Sequence, residues 1–282
     1  MAFINSYKHS SPSWFLLLSF LLNLLFLSYS HFLYGEEIHL TIYGGRSSAY
    51  FHDLLKESLQ HADHQVTITK LPEQYNQKRL MAMLVQDETI SLMWRGQSPK
   101  YDRLFEYVDA PLTMGLKGYR IFFIRKGTQH KFDSIKTLED FKQSKLIGGF
   151  GLGWSDTKIW NHNGLPFKEK DGNIDPDLYL MLHSGKRGID YFSRAAFEIG
   201  PEYKKHNYLA IEKKLVFIYP RDFRFYLAKS FKYLKPILEQ AIKDYSTQGH
   251  MKRLIMKHFP EIYDPNKIDL ENRIKIHLSM PW

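Results

Sequence analysis

Apolar and polar residues alternate in "EIHLTIY" (Glu37–Tyr43): Ile38, Leu40 and Ile42 fall on one face, His39, Thr41 and Tyr43 on the other. A period of two predicts a half-buried strand, ended by the glycines at 44 and 45. In "AYFHDLLKESLQ" (Ala49–Gln60) the leucines at 54, 55 and 59 recur at helical spacing. "HQVTITKL" predicts a second strand, and "YNQKRLMAMLVQ" (Tyr75–Gln86) a helix burying Leu80, Met83 and Leu84. "TISLMW" (Thr89–Trp94) is mostly apolar, as expected of a strand covered on both faces. This β-α-β-α-β order predicts a parallel sheet.

The pattern then repeats. "GYRIFFIRKG" (Gly118–Gly127) is a strand, and "SIKTLEDFK" (Ser134–Lys142) a short helix with Ser134 at its N-cap. "KLIGGF" is a strand running into a glycine-rich turn, and "SDTKIWNHNG" a helix closed by Gly164. "DPDLYLMLHSGK" (Asp175–Lys186) is a helix, "GIDYFS" a short strand, and "EKKLVFIYP" a strand ending at Pro220. Two closing helices follow, separated by Gly249, with Pro236 at the start of the first. Two α/β units of similar size predict two lobes and a cleft.

The N-terminus changes the setting. Residues 1–13 are polar, and the apolar run "WFLLLSFLLNLLFL" (Trp14–Leu27) is short for a bilayer span of roughly 20 residues. Small residues at Ser28 and Ser30 complete a signal-peptide pattern, with cleavage expected after Ser30 and Gly35 as the second candidate. An export signal predicts a periplasmic protein, taken to be a monomer. The chain has no cysteine, which excludes a disulfide framework and a Cys-ligated zinc site. Its 39 Lys and Arg exceed its 30 Asp and Glu. Residues 1–30 hold one of the bases and no acid, so the remainder carries +8. The bases are dispersed, with no block of five, which argues against nucleic acid and for a bias towards anionic ligands. No cofactor or metal is expected: His61 and His64 would need outside partners to hold an ion, and no zinc-binding spacing occurs.

The stretch "IGGFGLGWSDT" (Ile147–Thr157) carries the candidate chemistry. A strand–glycine turn–helix brings backbone N–H groups close to a ligand, and the helix N-terminus adds positive potential. A nucleotide P-loop would need Gly-Lys-Ser/Thr after the glycines, where this chain has Gly153-Trp154-Ser155. A hydrolase elbow would need glycine at Thr157. Gly153, Trp154, Ser155, Asp156 and Thr157 therefore read as ligand lining, against a tight turn capped by Ser155 or Asp156.

Other candidates cluster at predicted strand ends. Tyr43, Arg46 and Tyr50 follow the first strand, where aromatic rings suit small polar ligands. Trp94 and Arg95 end the third; Arg95 can clamp a carboxylate or phosphate, or else pair internally with Asp109 or Glu106. In "DYFSRAAFEIG" (Asp190–Gly200), Phe192 and Arg194 are candidates if the segment is a loop, and Arg194–Glu198 is a surface ion pair if it is helical.

Three segments in order resemble the family 3 periplasmic solute-binding proteins, which capture amino acids and other small polar solutes. "KRLMAMLVQDETISLMWRGQSPKYDRLFEYVDAPLTMGLKGYRIFFIRKG" is similar to the family's helix, strand, loop and crossing strand. "SIKTLEDFKQSKLIGGFGLGWSDTKIW" resembles the unit opening its second lobe, and "ILEQAIKDYSTQGHMKRLIMKHFP" its closing helices. The resemblance implies an α/β, two-lobed, type II periplasmic-binding-protein-like fold. Lobe 1 would comprise residues 36–115 and 216–282, lobe 2 residues 116–215, with two crossing strands as the hinge. It implies capture of a small polar, anionic or zwitterionic solute in the cleft, for an ABC-type inner-membrane permease or a sensor, without chemistry. One departure stands out: aligning the family's carboxylate-clamping Thr-x-x-Arg on Ser98 puts Tyr101 where the arginine belongs. Two other readings remain. The first is a dehydratase-like enzyme on the same fold, using Asp156, Glu198 or His162 as acid or base. The second is a signalling module that binds no solute. On the solute-binding reading, Trp154→Ala and Arg95→Ala each weaken binding and leave the ligand-free melting temperature nearly unchanged.

Overall fold

The computed structural model describes residues 37–44, 48–72, 75, 77–172 and 174–281. The expected signal segment and Arg46 lie outside the described residues. Strand β1 (Ile38–Tyr43) pairs in parallel with β2 (Val66–Leu71) across helix α1 (Ser48–His61). Helix α2 (Gln77–Val85) leads to β3 (Leu92–Gly96). Ser91 ties β3 to β1: its N–H donates to the Thr41 carbonyl, and its Oγ accepts from the Thr41 N–H, both at 2.8 Å. After the single turn α3 (Pro99–Asp102), β4 (Glu106–Tyr107) joins β3 through a late strand, β11 (Phe223–Leu227), which runs antiparallel to both. These strands form the first lobe. Helices α8 (Lys235–Thr247) and α9 (His250–His258) close it against α1, with Gly249 between them at φ +79°, a conformation only glycine adopts without strain.

The second lobe is built on one sheet. Its centre is β5 (Tyr119–Arg125), whose residues 120–124 are buried. Around it lie β6 (Gly148–Gly151), β7 (Phe167–Lys170), β8 (Tyr191–Ala195), β9 (Leu209–Ile211), β10 (Leu215–Ile218) and β12 (Ile274–His277). Helices α4 (Leu138–Gln143), α5 (Ser155–His162), α6 (Asp177–Ser184) and α7 (Ala196–Lys205) flank it. Thr137, not Ser134, caps α4: its hydroxyl accepts from the Asp140 N–H, and the Asp140 carboxylate answers the Thr137 N–H. Strand β6 is glycine-rich for packing. A Cβ on Gly148 would stand 2.9 Å from the Tyr191 ring, and one on Gly149 2.9 Å from Ile189 Cδ1.

The expected assignment of residues 216–282 to lobe 1 needs correction at its two ends, residues 216–218 and 274–277. β10 pairs with β5, and β12 pairs with β10 in parallel, Leu215 opposite Ile274. Both strands belong to the second sheet. The chain therefore passes between lobes three times: through residues 113–118, through 219–222, and again after α9. Arg273 anchors the third passage. Its Nη1 donates to the Glu212 and Leu215 carbonyls at 2.6 and 2.9 Å, and its Nε to the Ile268 carbonyl at 2.6 Å. Pairing β12 with β10 satisfies backbone groups that the closing segment would otherwise leave bare beside the sheet.

The first two passages touch at Gly118. Its carbonyl accepts from the Tyr219 N–H at 3.2 Å, and a Cβ there would overlap the Tyr219 carbonyl oxygen. Asp222 binds them from the other side, accepting from the N–H groups of Thr113, Gly115 and Phe223 at 2.7–3.1 Å, and from the Thr113 hydroxyl. Gly118→Ala must push the two strands apart, at a cost of about 1–3 kcal/mol, the range for overpacking a filled site. Urea denaturation should show a matching fall in midpoint; an unchanged midpoint would mean the strands separate freely there.

Candidate functional site

A cleft of about 1320 Å³ opens between the lobes. The first lobe contributes Tyr50 and Phe51 from α1, and Trp94, Arg95 and the loop through Tyr101 after β3. The passages between lobes contribute Thr113, Lys117 and Arg221, and β11 contributes Phe223. The second lobe contributes Arg120, the turn and helix start at Gly153–Asp156, and Arg194, Glu198 and Glu202.

Asp156 organises the floor. It sits in the first turn of α5, buried, with Arg120 Nη2 3.3 Å from Oδ1 and Arg221 Nη1 3.4 Å from Oδ2. The Tyr219 hydroxyl donates to Oδ1 at 2.5 Å. One carboxylate thus joins the second lobe's helix to β5 and to the second passage. Burial pushes its pKa up, but Arg120, Arg221, Lys117 and the Tyr219 hydrogen bond overcome it and hold it at about 2. Arg120 is itself fixed, donating from Nε to Ser193 Oγ at 3.2 Å and from Nη2 to the Ser193 carbonyl at 3.0 Å.

A second knot lies beside it. Glu198 accepts from Lys117 Nζ at 3.1 Å, lies 3.3 Å from Arg194 Nη2 and accepts from the Ala195 N–H at 3.2 Å. Arg194 Nε donates to Glu202 at 2.7 Å, and Nη2 binds the same carboxylate's other oxygen, a bidentate pair. Burial pushes the Glu198 pKa up, yet Arg194, Lys117 and Arg120 hold it well below the usual carboxylate range. Burial pushes Lys117 down, partly offset by Glu198. Its ammonium stands 5.1 Å from the Phe223 ring centre and 5.7 Å from that of Phe197, and the Arg194 guanidinium 5.5 Å from that of Trp154.

Eight of the expected residues line the cleft: Tyr50, Trp94, Arg95, Gly153, Trp154, Ser155, Asp156 and Arg194. Three do not. Phe192 is wholly buried beneath Trp154, because its position on β8 points into the core. Thr157 is buried, its hydroxyl donating back to the Trp154 carbonyl at 2.7 Å. Tyr43 packs in the side cluster of Leu71, Leu80 and Met93. Neither Ser155 nor Asp156 caps α5: Trp154 holds the N-cap position, and its side chain makes no capping hydrogen bond. Residues 191–195 are strand and 196–205 helix, so Arg194 and Glu198 pair across a strand–helix junction. Arg95 takes neither internal partner proposed for it. Asp109 pairs with Arg224 at 3.2 Å and Glu106 with Lys235 at 2.7 Å, leaving Arg95 over the Tyr101 ring at 5.5 Å. Sequence reasoning missed Lys117, Arg120 and Arg221. Their signal was position: each lies within three residues of a passage between lobes. Among the described residues, no three His, Asp or Glu side chains converge to hold a metal ion.

The effect expected of Trp154→Ala changes with this geometry. Its indole lies against Gly151 and packs on both core clusters, so truncation removes core as well as cleft wall. Ligand-free Trp154→Ala should lose about 2 kcal/mol, roughly half the cost of a fully buried Trp, whereas Arg95→Ala leaves thermal unfolding nearly unchanged. Equal effects would contradict the placement. Asp156 gives a pH signature. Its folded pKa lies below its unfolded value, so its stabilisation is full above pH 4 and is lost as pH falls towards 2. Asp156→Asn should therefore cost about 2 kcal/mol or more at pH 7, with the gap to the parent narrowing below pH 4. A gap independent of pH would contradict the ion-paired state.

No protein-family model and no curated protein matches the chain. Solved structures do match its fold. A probable amino-acid ABC transporter extracellular-binding protein of Bacillus subtilis matches with a TM-score of 0.57 at 17% identity, over 79% of this chain and 99% of that one. A periplasmic His/Glu/Gln/Arg/opine family-binding protein of Silicibacter pomeroyi, in complex with lysine, matches at 0.50 and 11%, over 79% and 97%. An ancestral arginine-binding protein bound to glutamine matches at 0.50 and 16%, over 80% and 100%. The chain has the two-lobed α/β fold of the type II periplasmic binding proteins.

Proposed function

We propose that this chain is an exported solute-binding protein that captures a small polar, negatively charged or zwitterionic solute and presents it to an ABC-type permease or a sensor at the inner membrane. The observation that carries this reading is the cleft itself, lined from both lobes and from the passages between them, with eight Lys or Arg against three Asp or Glu. A solute touching both walls stabilises the closed arrangement by its contacts to each, which is the population shift a binding protein needs. The apolar run at residues 14–27 and the small residues at Ser28 and Ser30 support export to the periplasm.

The state of the cleft carboxylates favours binding over proton transfer. A general acid or base works best with a pKa near the operating pH, and Asp156 and Glu198 are both held low by their cations. His162 is exposed and does not line the cleft.

The test is native mass spectrometry of protein purified from a periplasmic extract. One small molecule retained per chain, released on denaturation and rebinding to the emptied protein, is the expected result. Arg95→Ala should weaken rebinding about 10-fold or more, the worth of a hydrogen bond to a charged group. A protein that retains no solute and rebinds none of the extract would refute the proposal.

A further inference from the structure

We infer that the solute is a small organic dianion, with carboxylate or phosphate oxygens at both acidic groups, and that the cleft discriminates against α-amino acids because its acids are already paired and its cations are in excess. The inference rests on the solute-binding reading and narrows it.

The cleft's own acids are spent. Asp156 is shared by Arg120, Arg221 and the Tyr219 hydroxyl. Glu198 holds Lys117 and Arg194, and Glu202 takes both forks of Arg194. A ligand ammonium would meet carboxylates whose charge the protein's own cations already offset, and would stand among those cations, so it would gain little attraction there. Ring faces are the other seat for an ammonium. Of the rings lining the cleft, Phe197, Phe223, Trp154 and Tyr101 already carry the protein's own Lys117, Arg194 and Arg95, and Trp94 is stacked on Phe51.

The cations, in contrast, are in excess. Lys117, Arg120, Arg194 and Arg221 share three carboxylates, which leaves one positive charge over. Arg95, which among the described residues has no acidic partner, adds a second. Arg221 also has an open donor: its Nε is buried without a hydrogen-bond partner. Its Nη2 stands 3.7 Å from where a Cβ of Gly96 would be, so beside the strand that carries Arg95 the guanidinium meets bare backbone. A buried donor without a partner is costly unless a ligand supplies the acceptor. Arg221 and Arg95 thus form two anion seats reached from the hinge and from β3, on the side where Tyr101 stands in place of a clamping arginine.

Calorimetry with matched pairs tests this: succinate against aspartate, glutarate against glutamate, and 3-phosphoglycerate against phosphoserine. The carboxylate and phosphate pairs separate the two oxygen chemistries. Whichever pair binds, the member without an amine should bind at least 10-fold tighter. Arg221→Gln and Arg95→Gln should each weaken it at least 10-fold. Arg95→Gln removes no acid's partner, so it keeps the test meaningful if Arg221→Gln unfolds. Where no pair binds, the solute retained by the native protein decides: an amine-free anion supports the inference. Equal or tighter binding of the amino members, or a retained amine, overturns the inference and leaves solute binding standing. No binding by any pair at about 10 mM, together with no retained solute, overturns both.

Discussion

One carboxylate sets the character of this cleft. Asp156 is buried where the second lobe's helix start meets both β5 and the return passage, and Arg120, Arg221 and Tyr219 all converge on it. A lone buried carboxylate would be protonated or expelled; this one stays charged because the cations around it are buried too and have few other acceptors. Arg120 is locked onto Ser193, and Arg221 lies two residues after Tyr219 in the same passage between lobes. Removing the carboxylate would leave two guanidinium groups facing each other in a low-dielectric floor. The cluster therefore fixes the geometry from which the lobes hinge and the sign of the potential that a solute meets.

The same economy runs through the rest of the wall. Each acid facing the cleft is matched to cations on neighbouring elements, so on the proposed reading the bases left over set the ligand's charge. This follows from the pairing pattern and not from the chain's overall basicity, which is spread over the surface in many ion pairs with little individual effect. Closing the lobes would remove water from Arg95 and Arg221, and desolvated cations reward an anion and penalise an empty closed state. On the proposed reading, the same cost favours the open arrangement when no solute is bound.

Much of the fold was legible in the sequence. The alternation at 37–43, the helical spacing at 49–60 and the glycine between the closing helices each became the element expected. The short strands β7, β9 and β12 were not legible, because β7 and β12 carry exposed lysines and β9 spans only three residues. Their identity comes from pairing with a sheet whose register is set elsewhere. The third passage between lobes was invisible for that reason. In the site, residues after predicted strands were found when their turns were conspicuous, as at Gly153–Asp156. Lys117 and Arg221 sit in segments with no periodic signal and Arg120 near the start of an expected strand, and only the three-dimensional crossing brings them together. Phe192 shows the converse: a residue in a promising segment can belong to the core, because alternation along a strand sends each neighbour to the opposite face.

A crystal structure of the protein with its retained solute tests the account most directly. The account predicts solute oxygens within hydrogen-bond distance of Arg221 Nε and Arg95, with Asp156 still bridging Arg120 and Arg221, and Glu198 and Glu202 still holding Arg194. A solute amine bonded to Asp156, Glu198 or Glu202, with an arginine displaced, would contradict it.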